Sequence, residues 1–163
     1  MKDQHLVTLN VNGRGHELVL ESRQSLADTL RQDLGLTGTH LGCEHGICGA
    51  CTILIDGEPV RSCLVYGVQA DGREVRTVES LAELDDLNDL QQAFSRHHGL
   101  QCGFCTPGFL MLAEAYLSTE PTGDREEVRE VVSANLCRCT GYEGIVDAVC
   151  EVAEQRCRKA THE

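Results

Sequence analysis

The chain has 163 residues, room for one ordinary domain or two small ones, with only 41% hydrophobic and 4% aromatic residues and no Trp. A formal net charge of −12 argues against an electrostatic nucleic-acid footprint, and no apolar run reaches the roughly 18–20 residues of a membrane span. The N-terminus, Met1-Lys2-Asp3-Gln4-His5-Leu6, has no basic stretch leading into an apolar one, so a cytoplasmic, reducing setting is expected. In such a setting paired cysteines usually bind metal.

Residues 5 to about 80 read as β-rich. Leu6 to Val11 alternates apolar and polar positions, Asn12-Gly13 is a hairpin signal, and Glu17 to Leu20 is the return strand. Ser25 followed by Asp28 marks a helix start, with Leu26, Ala27, Leu30 and Leu34 on its apolar face and Gly35 as its stop. Thr52 to Ile55 reads as a buried strand, Asp56-Gly57 as a turn, and Val60 to Val65 as the partner strand carrying Cys63.

From about residue 85 the period becomes helical. One helix takes Leu87, Leu90, Gln91 and Phe94 and ends near Gly99; Thr106-Pro107 suits the N-cap and first position of a second, with Leu110, Ala113 and Leu117 inside. Pro121-Thr122-Gly123 breaks it. Asp124 and Glu127 open a third, with Val128, Val131 and Val132 inside, and Tyr142 to Arg158 forms a fourth around Ile145, Val149 and Val152. The period changes between Thr77 and Asp86, which divides the chain into residues 1–80 and 81–163.

Eight of the ten cysteines fall into two sets. Cys43, Cys48 and Cys51 have the C-x4-C-x2-C spacing of a plant-type [2Fe–2S] loop, and Cys63 follows after eleven residues as a fourth ligand. Gly42, Gly46 and Gly49 suit a loop that must wrap a cluster and bring backbone N–H groups to its sulfurs. A structural zinc site more often pairs two short knuckles, a Rieske centre needs two histidines where this loop has only His45, and a reactive thiol is the remaining alternative.

The second set is Cys102-x2-Cys105 and, after 31 residues, Cys137-x-Cys139. It places two thiols at the entrance of a helix, where partial positive charge favours an anionic group, and two between the next helices. Taken alone this spacing also suits zinc. Cys150 and Cys157 lie seven apart on the last helix and read as small packing residues. His97 and His98 are adjacent on a helix and so point apart, which disfavours a joint ligand role.

Three segments together, Gly42-Cys43 through Cys51-Thr52, Gln101-Cys102-Gly103-Phe104-Cys105-Thr106-Pro107-Gly108 and Asn135-Leu136-Cys137-Arg138-Cys139-Thr140-Gly141-Tyr142, give a chain that resembles the small iron–sulfur subunit of the molybdenum hydroxylases, the xanthine oxidase family. The resemblance implies an α+β fold: an N-terminal plant-ferredoxin-like β-grasp domain followed by a C-terminal four-helix bundle domain, each holding one [2Fe–2S] cluster.

It further implies a large partner subunit with molybdopterin, often as its cytosine dinucleotide in bacteria, a medium subunit with FAD, and a dimer of such three-subunit units. In this layout Cys102, Cys105, Cys137 and Cys139 bind the molybdenum-side cluster and Cys43, Cys48, Cys51 and Cys63 the flavin-side cluster. Gln101 matches a glutamine whose side chain contacts the pterin, and Cys139 lies beside it.

No G-x-G-x-x-G dinucleotide fingerprint and no substrate acid or base is present, so the chain is an electron-transfer component and substrate chemistry belongs to a partner. The end at Glu163 suits a free-standing subunit. The first loop, Cys43-Glu44-His45-Gly46-Ile47-Cys48, leans by resemblance towards hydroxylation of an N-heteroaromatic compound with oxygen from water. The alternatives are a carbon monoxide, aldehyde or purine dehydrogenase, a free-standing two-cluster ferredoxin-like carrier, and a redox-sensing regulator, for which no basic recognition helix is visible.

Overall fold

The computed structural model describes residues 3–82, 86–119 and 121–160. Residues 83–85, part of the expected boundary segment, lie outside the described residues. The fold is α+β.

Strands β1 (Gln4–Val11) and β2 (Arg14–Glu21) pair antiparallel around Asn12 and Gly13, both at positive φ, as the Asn-Gly signal requires. Strands β3 (Thr52–Ile55) and β4 (Glu58–Arg61) form a second hairpin around Asp56-Gly57, again with both turn residues at positive φ. A short strand β5 (Glu74–Arg76), which the sequence did not announce, runs parallel to β1 and antiparallel to β3. It joins the hairpins into one mixed sheet of order β2-β1-β5-β3-β4.

Helix α1 (Leu26–Asp28), capped by the Ser25 hydroxyl, continues as a π-helical turn (Thr29–Asp33) and buries Leu26 and Leu30 against the sheet. Val7, Leu9, Val11, Leu20, Ile53, Ile55 and Val75 complete this core. Leu54 points the other way and joins the helical core, which explains why all four residues of β3 are buried.

The helical part contains α2 (Asp89–Arg96), α3 (Thr106–Leu117), α4 (Arg125–Ser133) and α5 (Glu143–Ala160). Helix α3 packs on β3 and β4 as well as on its neighbouring helices, so most of its circumference is apolar and buried. Leu90, Phe94, Phe109, Met111, Val128, Val132, Ile145, Val149 and Val152 form the shared core.

Several local expectations change. Gln91 does not face the core but completes a capping box with Asn88, and Leu87 is half exposed. The cap of α3 is Cys105, not Thr106, whose buried hydroxyl has no hydrogen-bond partner. Tyr142 precedes α5 at positive φ and sends its hydroxyl to accept from the Cys137 N–H over 2.9 Å. Helix α2 ends at Arg96, so His97 is its C-cap and His98 lies beyond at positive φ; the two are not successive helical residues. Of the last two cysteines, Cys150 packs against the helical core but Cys157 is exposed, not a packing residue.

Candidate metal centres

The first four cysteines come from two places. Cys43, Cys48 and Cys51 lie on the loop that leads into β3, and Cys63 follows on a 3-10 turn (Ser62–Leu64) directly after β4. The expected strand, Val60 to Val65, therefore stops at Arg61, four residues early, and the turn carries the fourth thiol back beside Cys51. Cys43 Sγ accepts the N–H of Cys48 at 3.3 Å and of His45 at 3.4 Å. These N–H donors lower its thiol to about 6, which favours the thiolate a metal needs. Burial, with Cys51 alongside, pushes Cys63 up to about 11. His45 turns its ring onto the carbonyl of Cys43.

The three glycines serve this loop in different ways. A Cβ on Gly42 would stand 3.1 Å from Cys48 Sγ. One on Gly46 would stand 2.4 Å from the Leu64 side chain, and one on Gly49 1.9 Å from Asn135 Oδ1; both residues have positive φ. The loop is thus pressed against the 62–64 turn on one side and against residue 135 on the other.

The second four cysteines converge at the entrance of α3 and in the α4–α5 connection. Cys102 and Cys139 are exposed with their sulfurs 3.6 Å apart. Cys105 and Cys137 sit deeper. Burial, and then the neighbouring Cys137, push Cys105 up to about 12. Burial alone would also raise Cys137, but the Thr140 hydroxyl at 3.1 Å and N–H at 3.4 Å outweigh it and hold that thiol below its ordinary value.

The eight thiols therefore lie in pairs: Cys43 with Cys48, Cys51 with Cys63, Cys102 with Cys139 and Cys105 with Cys137. Among the described residues no three His, Cys, Asp or Glu side chains close on a single metal-ion point. Two thiolates per iron is the ligand set of a [2Fe–2S] diamond, and the donor chemistry fits that group. Gln101 is exposed beside Cys102, at the surface edge of the second set.

The two sets are not independent. The Leu136 N–H donates to the Cys48 carbonyl at 2.9 Å. The ideal Cβ of Gly108, in the first turn of α3, would be 2.3 Å from the Gly49 carbonyl, so only a glycine lets this turn approach the first loop so closely. His40, just before the first loop, stacks on Phe104 of the second. Asn135 is buried between them with neither side-chain polar atom hydrogen-bonded. Asn135 opens the third of the matching segments, whereas His40 and Arg61 lie outside all three and only their closeness to the cysteines points to them.

Residues 9–82 match the 2Fe-2S iron-sulfur cluster binding domain family and residues 77–150 the [2Fe-2S] binding domain family. The chain is 55% identical over 152 residues to the caffeine dehydrogenase subunit gamma of Pseudomonas sp. (strain CBB1), covering 91% of each. It is 55% identical over 153 residues to the nicotine 6-hydroxylase small subunit of Paenarthrobacter nicotinovorans, covering 94% of this chain and 92% of that one. Its fold superposes on a chain of quinoline 2-oxidoreductase from Pseudomonas putida 86 with a TM-score of 0.88 and 52% identity, covering 94% of this chain and 98% of that one.

Proposed function

The chain belongs to the small [2Fe–2S] iron–sulfur subunits of the molybdenum hydroxylases, electron-transfer components of oxidoreductase complexes, and from that membership we propose that it holds two [2Fe–2S] clusters and relays electrons from molybdopterin on a large subunit to FAD on a medium one. Cys102, Cys105, Cys137 and Cys139 hold the molybdenum-side cluster, and Cys43, Cys48, Cys51 and Cys63 the flavin-side cluster. Each cluster, when bound, supplies a one-electron centre. Residues 1–80 and 81–163 are the two cluster-binding units; the overlap of the family matches at residues 77–82 supports a division there.

The observation that carries the relay is the hydrogen bond from the Leu136 N–H to the Cys48 carbonyl. It joins a ligand of one set, through a single backbone contact, to the residue before a ligand of the other. Backbone N–H donors to Cys43 and Cys137 favour thiolate at one member of each set. The exposure of Cys102 and Cys139 leaves the second set at a face that a pterin-bearing partner can reach, and Gln101 stands there to contact the pterin.

The partners are a large molybdopterin-binding subunit, with the pterin as its cytosine dinucleotide, and a medium FAD-binding subunit, assembled as a dimer of heterotrimers. Caffeine, nicotine and quinoline, in the names of the three relatives, are all N-heteroaromatic. They support hydroxylation of such a compound, with water as oxygen source, on the large subunit. Among the described residues no helix is long and apolar enough to cross a membrane. A cytoplasmic location for the complex is part of the same proposal.

The test is substitution within the whole complex. Cys102→Ser or Cys137→Ser blocks reduction of flavin by substrate, whereas Cys43→Ser leaves the molybdenum-side cluster reducible and stops onward transfer. Flavin reduction at the native rate in the first two variants overturns the relay.

A further inference from the structure

Arg61, the last residue of β4, spends all three of its guanidinium nitrogens on backbone or backbone-linked acceptors around the two cysteine sets. Nε donates to the Gly46 carbonyl, between Cys43 and Cys48, at 3.4 Å. Nη1 donates to the Thr52 hydroxyl, which itself donates to the Gly49 carbonyl, between Cys48 and Cys51, at 2.6 Å. Nη2 crosses to the helical part and donates to the Ala134 carbonyl at 2.6 Å.

Ala134 opens the run that leads into the second set. Its neighbour Asn135 is wedged against Gly49, and the next residue, Leu136, donates to Cys48. One side chain therefore grips the first loop at two points and the approach to Cys137 at a third. A guanidinium is suited to this because its donors are fixed in one planar fork, so the three acceptors are held relative to one another. An ammonium is a point charge on a flexible stem and cannot reproduce that span.

We infer that Arg61 is a positioning residue that holds the two cluster cages at one separation and so sets the electronic coupling between them. The inference rests on the two-cluster reading above. Arg61 touches neither set of sulfurs in the hydrogen bonds described, so its effect falls on the distance between the cages and not on ligation itself. Tunnelling and magnetic dipolar coupling both fall steeply with separation, so a loosened strap registers in both.

The experiment uses the whole complex with wild-type, Arg61→Ala and Arg61→Lys chains, each assayed for iron and then fully reduced for low-temperature electron paramagnetic resonance. The wild type shows two cluster signals with a resolved spin–spin splitting. Both variants keep about four irons per chain and both signals at their own positions, with the splitting reduced or lost. If Arg61→Ala sheds iron, Arg61→Lys decides. A native splitting in either iron-replete variant overturns the inference, as does a wild type with both clusters and no splitting. Iron loss in both variants makes Arg61 a folding residue and overturns it too. A wild-type complex holding one cluster or none contradicts the underlying reading instead.

Discussion

The ring of His40 lies over the ring of Phe104 with centroids 5.0 Å apart and planes 22° from parallel, while His40 Nδ1–H donates to the Phe104 carbonyl at 2.8 Å. Phe104 stands between Cys102 and Cys105, and His40 three residues before Cys43. The pair ties the segment before the first loop to the entrance of α3, in addition to the contacts made by residues 134–136.

His40→Ala removes both the stacking and the hydrogen bond. A cost of about 1–2 kcal/mol is expected from one aromatic contact and one side-chain hydrogen bond. It falls on the 102–105 loop. Iron release to a chelator should therefore accelerate from the second cluster, followed by its own resonance signal, while the first cluster keeps its native rate. Equal release from both clusters would show that the contact stabilises the chain as a whole.

Gly49→Ala and Gly13→Ala separate two roles of glycine. Both residues have φ near +75°, at +75° and +74°. Nothing lies within 4 Å of a Cβ on Gly13, so that change costs backbone strain alone, about 1–2 kcal/mol. At Gly49 the new carbon meets Asn135 Oδ1 at 1.9 Å and Asn135 Cα at 3.0 Å, so overpacking adds to the strain for a total of about 2–5 kcal/mol. Thermal unfolding of the two variants measures the difference. Equal losses of stability would mean that Asn135 moves aside freely and is no part of the contact between the sets.

Arg156 on α5 donates to Asp89 of α2 at 2.8 and 3.0 Å and to Glu114 of α3 at 3.0 and 3.4 Å. Hydrogen bonding to Arg156 holds the Asp89 carboxyl below its ordinary value. A depressed folded-state value means that the folded chain binds fewer protons than the unfolded one, so this stabilisation is present above about pH 4 and is lost as pH falls through the folded value. Arg156→Met leaves two half-buried carboxylates unpaired and should cost about 1–3 kcal/mol near neutral pH. The cost should shrink on acidification as the carboxylates protonate. A penalty independent of pH would assign the loss to packing of the arginine stem.

The sequence made the hairpins and the cysteine sets legible because their signals are local. Asn12-Gly13 and Asp56-Gly57 supply two successive positive-φ residues, and the cysteine spacings are short enough to read as loops. Strand β5 was invisible because three residues with one buried side chain, Val75, carry no period. The 3-10 turn under Cys63 looks like strand in the sequence because Leu64 and Val65 continue a strand-like apolar run. What joins the two sets, the Leu136–Cys48 hydrogen bond, the His40–Phe104 stack and the reach of Arg61 to Ala134, spans 64 to 88 residues of chain. Such contacts arise only from tertiary packing, and no periodicity encodes them.

The most direct measurement is the iron, molybdenum and flavin content of the complex purified gently from its own cell. Two [2Fe–2S] clusters on this chain require about four irons per chain. Together with one molybdenum, one flavin and two larger chains, that content is the predicted result. About four irons per chain with no molybdenum and no partner would contradict it, leaving a free two-cluster carrier and removing the assignment of Gln101 to a pterin.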